Sequence, residues 1–329
     1  MRNNFSLIRI VLAILVLFSH SFPLSGTANP AFELYLFERW HMSFGTVSVH
    51  IFFVISGYLI TQSYMRVEIF GVFAWHRFLR LAPGVLVALV FSEMMFSRYN
   101  GYIGNPIPAS NGSLWTLSWE VACYMACGII GMLGILSRRN FNTLFAGLWM
   151  LYFSNITQSG VYFLKIEPLF MFFAMGAFIA VNEGAMNVRR AAMLSGIGLV
   201  IAFFAPLNTY VLDWLRLLPA PMGGTITDWR IQLITYIVSA PFVLIYLAKY
   251  AGVIKWSIRD ISYGVYIYAW PVQEVIVYES HKREILLGGW GTFAVALPIT
   301  LILAYLSCRL IEEPALRMKH AMRARRVRP

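Results

Sequence analysis

Charge is scarce in this sequence. Only 12% of its 329 residues are Asp, Glu, Lys or Arg, about half the share of an ordinary soluble domain, which excludes a water-soluble globule. Cysteine is scarcer still. Cys123, Cys127 and Cys308 lie inside apolar stretches without paired spacing, so neither a disulfide framework nor a zinc site is supported. Disordered and nucleic-acid-binding chains need low hydrophobicity, and a mean hydropathy of +0.67 removes both classes. No internal repeat or low-complexity segment is visible, and no loop is long enough to form a separate soluble domain.

What is abundant is apolar and aromatic surface, 59% and 16% of the residues. A helix needs roughly 20 apolar residues to cross about 30 Å of hydrocarbon, fewer where protein flanks it. Ten stretches qualify, near 5–22, 46–64, 82–97, 114–136, 142–157, 167–182, 191–207, 230–248, 260–278 and 290–309. The expected fold class is therefore all-α, a polytopic transmembrane helical bundle of about ten crossings.

The basic residues set its orientation, because Lys and Arg are retained on the cytoplasmic side of bacterial-type membranes. With the N-terminus inside, only Arg39, Arg98, Lys165, Arg216, Arg230, Lys282 and Arg283 of the 26 basic residues fall outside. Both termini are expected in the cytoplasm, with residues 1–316 forming one transmembrane domain and 317–329 a basic cytoplasmic tail that meets anionic headgroups. A cleavable leader at the start is disfavoured by Arg9 within its apolar core and His20 at its outer end. The two outer loops, 23–45 and 208–229, carry Pro, Gly and Trp40, Trp214 and Trp229, as suits an interfacial cap.

An ionisable side chain at membrane depth costs about 2–3 kcal/mol on insertion scales, so it faces the bundle interior or performs chemistry. Arg9 and His20 are eleven residues apart, which places them on nearly one helix face about 16 Å apart along the axis. Taken singly, Arg9 also reads as a snorkelling anchor and His20 as a headgroup-zone residue. His50 shares a face with Gly57, two turns on, where a neighbouring backbone can approach closely; a packed, hydrogen-bonded imidazole is expected there. Glu120 sits in the apolar run Leu114-Trp115-Thr116-Leu117-Ser118-Trp119-Glu120 and must pair or stay protonated. Arg77 and Arg80 lie one turn apart just before Pro83 opens the third crossing, a spacing that suits a phosphate ligand as well as plain anchoring. With Trp75 and Phe78, this stretch reads as a short amphipathic helix on the inner leaflet.

These residues resemble the acyltransferase 3 family of bacterial integral-membrane O-acyltransferases over nearly the whole chain. Arg9 and His20 are similar to the family's basic-x10-His signature. Phe52-Phe53-Val54-Ile55-Ser56-Gly57-Tyr58-Leu59-Ile60 resembles its Phe-Phe-Val-hydrophobic-Ser-Gly-aromatic-Leu-Ile motif. Arg77 and Arg80 match its Arg-x-x-Arg element and Leu114 to Glu120 its Leu-Trp-x-Leu-x-x-Glu element. Ile261-Ser262-Tyr263-Gly264-Val265-Tyr266, Trp270-Pro271 and Ile311-Glu312-Glu313-Pro314 follow in order. The chain departs where many members carry an acidic residue at the position of His50, and in lacking the Asp-Gly-Leu-Arg-Gly context around the first-helix arginine. Without a fused esterase-like domain in view, the chain resembles a stand-alone member.

The resemblance implies transfer of an acyl group, most often acetyl from acetyl-CoA, to a hydroxyl of a surface carbohydrate or lipid-linked sugar, in the bacterial cytoplasmic (inner) membrane. Acyl-CoA would be a co-substrate, with no permanently bound cofactor, no metal and no nucleic-acid partner. Its phosphates would meet Arg77 and Arg80, its arm would thread past Arg9, and His20 would act as general base, oriented by Glu120. The rival class is a multi-pass transporter or flippase of glycan precursors, using the same buried polar groups as a relay. It expects inverted repeats with broken helices, and none is visible in the sequence.

Overall fold

The computed structural model describes residues 3–98, 111–157, 167–204, 228–251 and 259–318. Among these residues every regular element is helical. The order is α1 Phe5–Leu24, α2 Ala31–Trp40, α3 Phe44–Val67, α4 Phe70–Arg98, α5 Trp115–Met132 and α6 Arg138–Thr157. It continues with α7 Glu167–Asn182, α8 Val188–Phe204, α9 Asp228–Lys249, α10 Ser262–Lys282 and α11 Gly288–Ser307, which runs on through a π turn, Cys308–Glu312. Each of the ten apolar stretches overlaps a helix. Five helical segments are long and apolar enough to cross a membrane: Phe5–Leu24, Phe44–Val67, Phe70–Met95, Gln232–Lys249 and Gly288–Met318. The others are shorter or more polar; α10, for instance, carries Tyr263, Tyr266, Tyr268, Gln273 and Glu274.

Two local features differ from expectation. The amphipathic stretch around Arg77 and the third crossing are one 29-residue helix, α4, with Pro83 inside it. Proline removes a backbone donor and loosens the turn before it, and the Tyr263 hydroxyl donates to Leu81 O at 2.7 Å in that turn. The 23–45 segment also holds a helix, α2. It buries Glu33 completely and exposes Phe32, Tyr35 and Phe37, the pattern of a helix lying in a membrane interface. Glu33 accepts from Ser19 Oγ at 2.5 Å and from Phe44 N at 3.0 Å, so a carboxylate satisfies the first amide of α3.

The chain divides into two compact units. The first comprises Met1–Phe5, His50–Phe70 and Met125–Lys255. In it α3 and α7 meet through glycine. A Cβ on Gly57 would lie 2.0 Å from Phe173 O, and one on Gly176 would lie 2.1 Å from Val54 O, so the backbones touch where any side chain would part them. His50 is packed here as expected, stacked on Phe172 at 4.4 Å between ring centroids with Tyr236 at 5.8 Å. Its Nδ1 makes no hydrogen bond, and the ring is held by stacking.

At one end of this unit, Glu183 accepts from Lys249, Tyr250, Tyr58 and Gln62. Burial raises the affinity of Glu183 for its proton, but the donors Lys249, Tyr250 and Tyr58 outweigh it and hold the carboxyl below its ordinary value. Burial, and then the Glu183 carboxylate beside it, push the Tyr250 hydroxyl up to about 12.

The second unit comprises Ser6–Val49, Gly71–Tyr124 and Trp256–Pro329. Its core joins Leu17 of α1 to Ala269 and Val272 of α10 and Ala296 of α11, with Phe91, Ile276, Phe293 and Leu303 against them. Arg9, His20, Arg77, Arg80 and Glu120 all belong to this unit.

Candidate active site

Within the second unit α1 and α10 lie side by side, and the polar residues fall into levels along them. At the first level, Arg9 donates to Asp260 Oδ2 at 2.6 Å. The Arg80 guanidinium faces the same carboxylate and Glu312, at 3.5 Å each. Asp260 also accepts from Ser262, at 3.2 Å from its N and 2.5 Å from its Oγ. Two cations and two carboxylates make the cluster neutral, as a site 21–23% exposed at Arg9, Arg80 and Asp260 requires. The longer Arg80 contacts leave its planar fork able to turn towards a bidentate anion. Arg80 also lies over the Tyr263 ring at 5.8 Å, whereas Arg77 lies over Phe73 at 5.7 Å.

The next level is built by α5 running antiparallel to α10. The Tyr124 hydroxyl donates to Glu120 one turn away, and Glu120 acts electrostatically on Tyr263 and Tyr266. Thr116 Oγ1 pairs with Tyr266 Oη at 2.5 Å. Closer to the start of α5, Gly112 lies so near Trp270 that a Cβ there would be 2.7 Å from the indole, and Asn111 Nδ2 donates to Ile267 O at 3.1 Å.

At the far level stands His20. Its ring meets the edge of Trp270, with centroids 5.0 Å apart and planes at 78°. Nδ1 is buried and makes no hydrogen bond. Gln273, fully buried, donates through Nε2 to Leu17 O at 2.7 Å and to Ser21 Oγ at 2.6 Å, clamping α1 on either side of the turn that carries His20.

The structure therefore joins Arg9 and Arg80, sets Arg77 on the next turn of α4, and places His20 at the opposite end of α1. Among the described residues no hydrogen bond or ion pair joins His20 to Glu120. Glu120 acts on Tyr263 and Tyr266, and so lies at a level between the arginine cluster and His20. Sequence reasoning missed Asp260 and Gln273, and it noted Glu312 and Trp270 without a role. A general signal existed for the acids, since two arginines in so sparsely charged a chain need counter-charges nearby. Tyr102 and Trp214, in the outer loops, lie outside the described residues; Trp40 is buried.

Comparison with known proteins defines the class as a membrane acyl-transfer enzyme. The family pattern described as "Acyltransferase domain" matches residues 2–309, and the chain belongs to this acyltransferase 3 family, whose members are integral-membrane acyltransferases. It is 27% identical to the "O-acetyl transferase" of Shigella phage Sf6, covering 94% of this chain and 95% of that protein. It is 26% identical to "Nodulation protein 10" of Rhizobium leguminosarum bv. viciae, covering 99% and 96%. No solved structure matches the chain.

Proposed function

We propose that the protein transfers an acetyl group from cytoplasmic acetyl-CoA to a hydroxyl of an extracytoplasmic or lipid-linked glycan. In this reading ten helices cross the bacterial inner membrane with both termini inside. The arginine cluster faces the cytoplasm, and His20 faces the acceptor. The nucleotide phosphates engage Arg77 and Arg80, with Arg9 held beside them by Asp260. The phage O-acetyltransferase relative supports acetyl as the group transferred.

One observation carries the reading: α1 holds Arg9, a member of the arginine cluster, and His20 on one face, about 16 Å apart, a span comparable to the extended pantetheine arm. His20 takes the proton of the acceptor hydroxyl at Nε2, the nitrogen not sealed in the interior. The freed oxygen attacks the thioester carbonyl, the C–S bond breaks, and the coenzyme thiolate receives the proton from His20. Glu120, lying along the path, assists as a carboxylate facing the cationic transition state. General-base removal contributes about 10²–10⁴ in rate.

Mixing purified protein, acetyl-CoA and a glycan acceptor should release free thiol. His20→Ala should lower that turnover at least about 10²-fold, and Glu120→Gln should lower it too, while both variants purify normally. Unchanged turnover in His20→Ala would end the general-base assignment.

A further inference from the structure

Resting on the reading of His20 as the base, we propose that Glu274 is a positioning carboxylate for His20, acting through Trp270, which meets the His20 ring and stands one turn from Glu274. Trp270 and Glu274 are four residues apart on α10 and so share one face. The indole Nε1 of Trp270 and Oε2 of Glu274 are both buried and make no hydrogen bond. The indole meets the His20 ring. His20 Nδ1, Trp270 Nε1 and Glu274 Oε2 are thus three buried polar atoms without hydrogen bonds on neighbouring turns of α1 and α10. Buried polar atoms left unpaired are few in folded proteins, and they mark sites where a charge or proton arrives during function.

Register makes the pairing durable. Gln273, next to Glu274 in the chain, donates to Leu17 and Ser21 on α1. The α10 turn that presents Glu274 is therefore pinned to the α1 turn that presents His20. Glu120 is less suited to this task. It is engaged by Tyr124 and lies beside Tyr263 and Tyr266, whereas Glu274 lies eight residues, about 12 Å, beyond Tyr266 along α10.

The chemistry needs such a group. When Nε2 accepts the hydroxyl proton, the ring becomes a cation inside a bundle that solvates cations poorly. A carboxylate one turn from Trp270 stabilises that cation until the proton passes to the coenzyme thiolate. No atom of Glu274 is consumed, and the overall balance is unchanged: one hydroxyl and one thioester give one ester and one thiol.

The test is a kinetic cycle with wild type, Glu274→Gln, His20→Ala and the double variant, using radiolabelled acetyl-CoA so that residual turnover is measurable. Glu274→Gln should lower kcat about tenfold or more while KM for acetyl-CoA stays within about twofold, and the double variant should be no slower than His20→Ala alone. Glu274→Asp should recover part of the loss, which guards against a Gln variant that merely folds poorly. Wild-type kcat in Glu274→Gln overturns the proposal. So does a further loss in the His20→Ala background, which would place the carboxylate's action elsewhere. Full turnover in His20→Ala instead overturns the base assignment itself, an outcome read from a different variant.

Discussion

Asp260 carries more of the site's order than its single negative charge suggests. It accepts the tight Arg9 contact, faces Arg80 and takes both donors of Ser262. Removing one partner of a partly buried charge pair leaves the other uncompensated. Asp260→Asn should therefore destabilise the protein by about 1–3 kcal/mol, read as a lower thermal midpoint in detergent, and saturating acetyl-CoA should restore part of it by supplying anionic phosphates.

Glu183 makes a related case at the other unit. Its folded-state carboxyl is held below the ordinary value by Lys249, Tyr250 and Tyr58 despite burial. Such a group contributes stability that is present above the unfolded carboxyl value and is lost as pH falls through the lowered one. Thermal midpoints should drop on acidification below about pH 4.5 in wild type, and Glu183→Gln should flatten that acid side while lowering the plateau.

Helix contacts show what can and cannot be read ahead of a structure. The 18-to-20-residue apolar runs that became α1, α3 and α11 were legible, because a crossing helix must satisfy its backbone internally and cover its length with apolar side chains. The alignment of Arg9 with His20 was legible from the helical repeat alone. The close backbone approach at Gly57 was legible in kind, but its partners, Phe173 and Gly176, are chosen by tertiary packing. Helix α2 was hidden because its apolar residues face outwards around a buried Glu33, the reverse of a soluble amphipathic pattern. Asp260 and Gln273 were hidden since each acts across about 250 residues of chain.

Gly57→Ala or Gly176→Ala should cost about 1–3 kcal/mol through overpacking and yield less monodisperse protein. Gly147→Ala, where nothing lies within 4 Å of the new methyl, should be neutral or slightly stabilising.

At the scale of the molecule, Arg9 and Arg80 meet near one end of α1 and His20 stands at the other, all in one unit, and in the proposed orientation those ends meet opposite faces of the membrane. Such an arrangement would serve a reaction whose two substrates never share a compartment. The most direct measurement uses sealed vesicles with the acceptor glycan trapped on the His20 side and labelled acetyl-CoA supplied only on the arginine side. Labelled ester should accumulate on the trapped acceptor with wild-type protein and fall to background with His20→Ala. Label appearing only when donor and acceptor are placed on the same side would contradict transfer through the bundle.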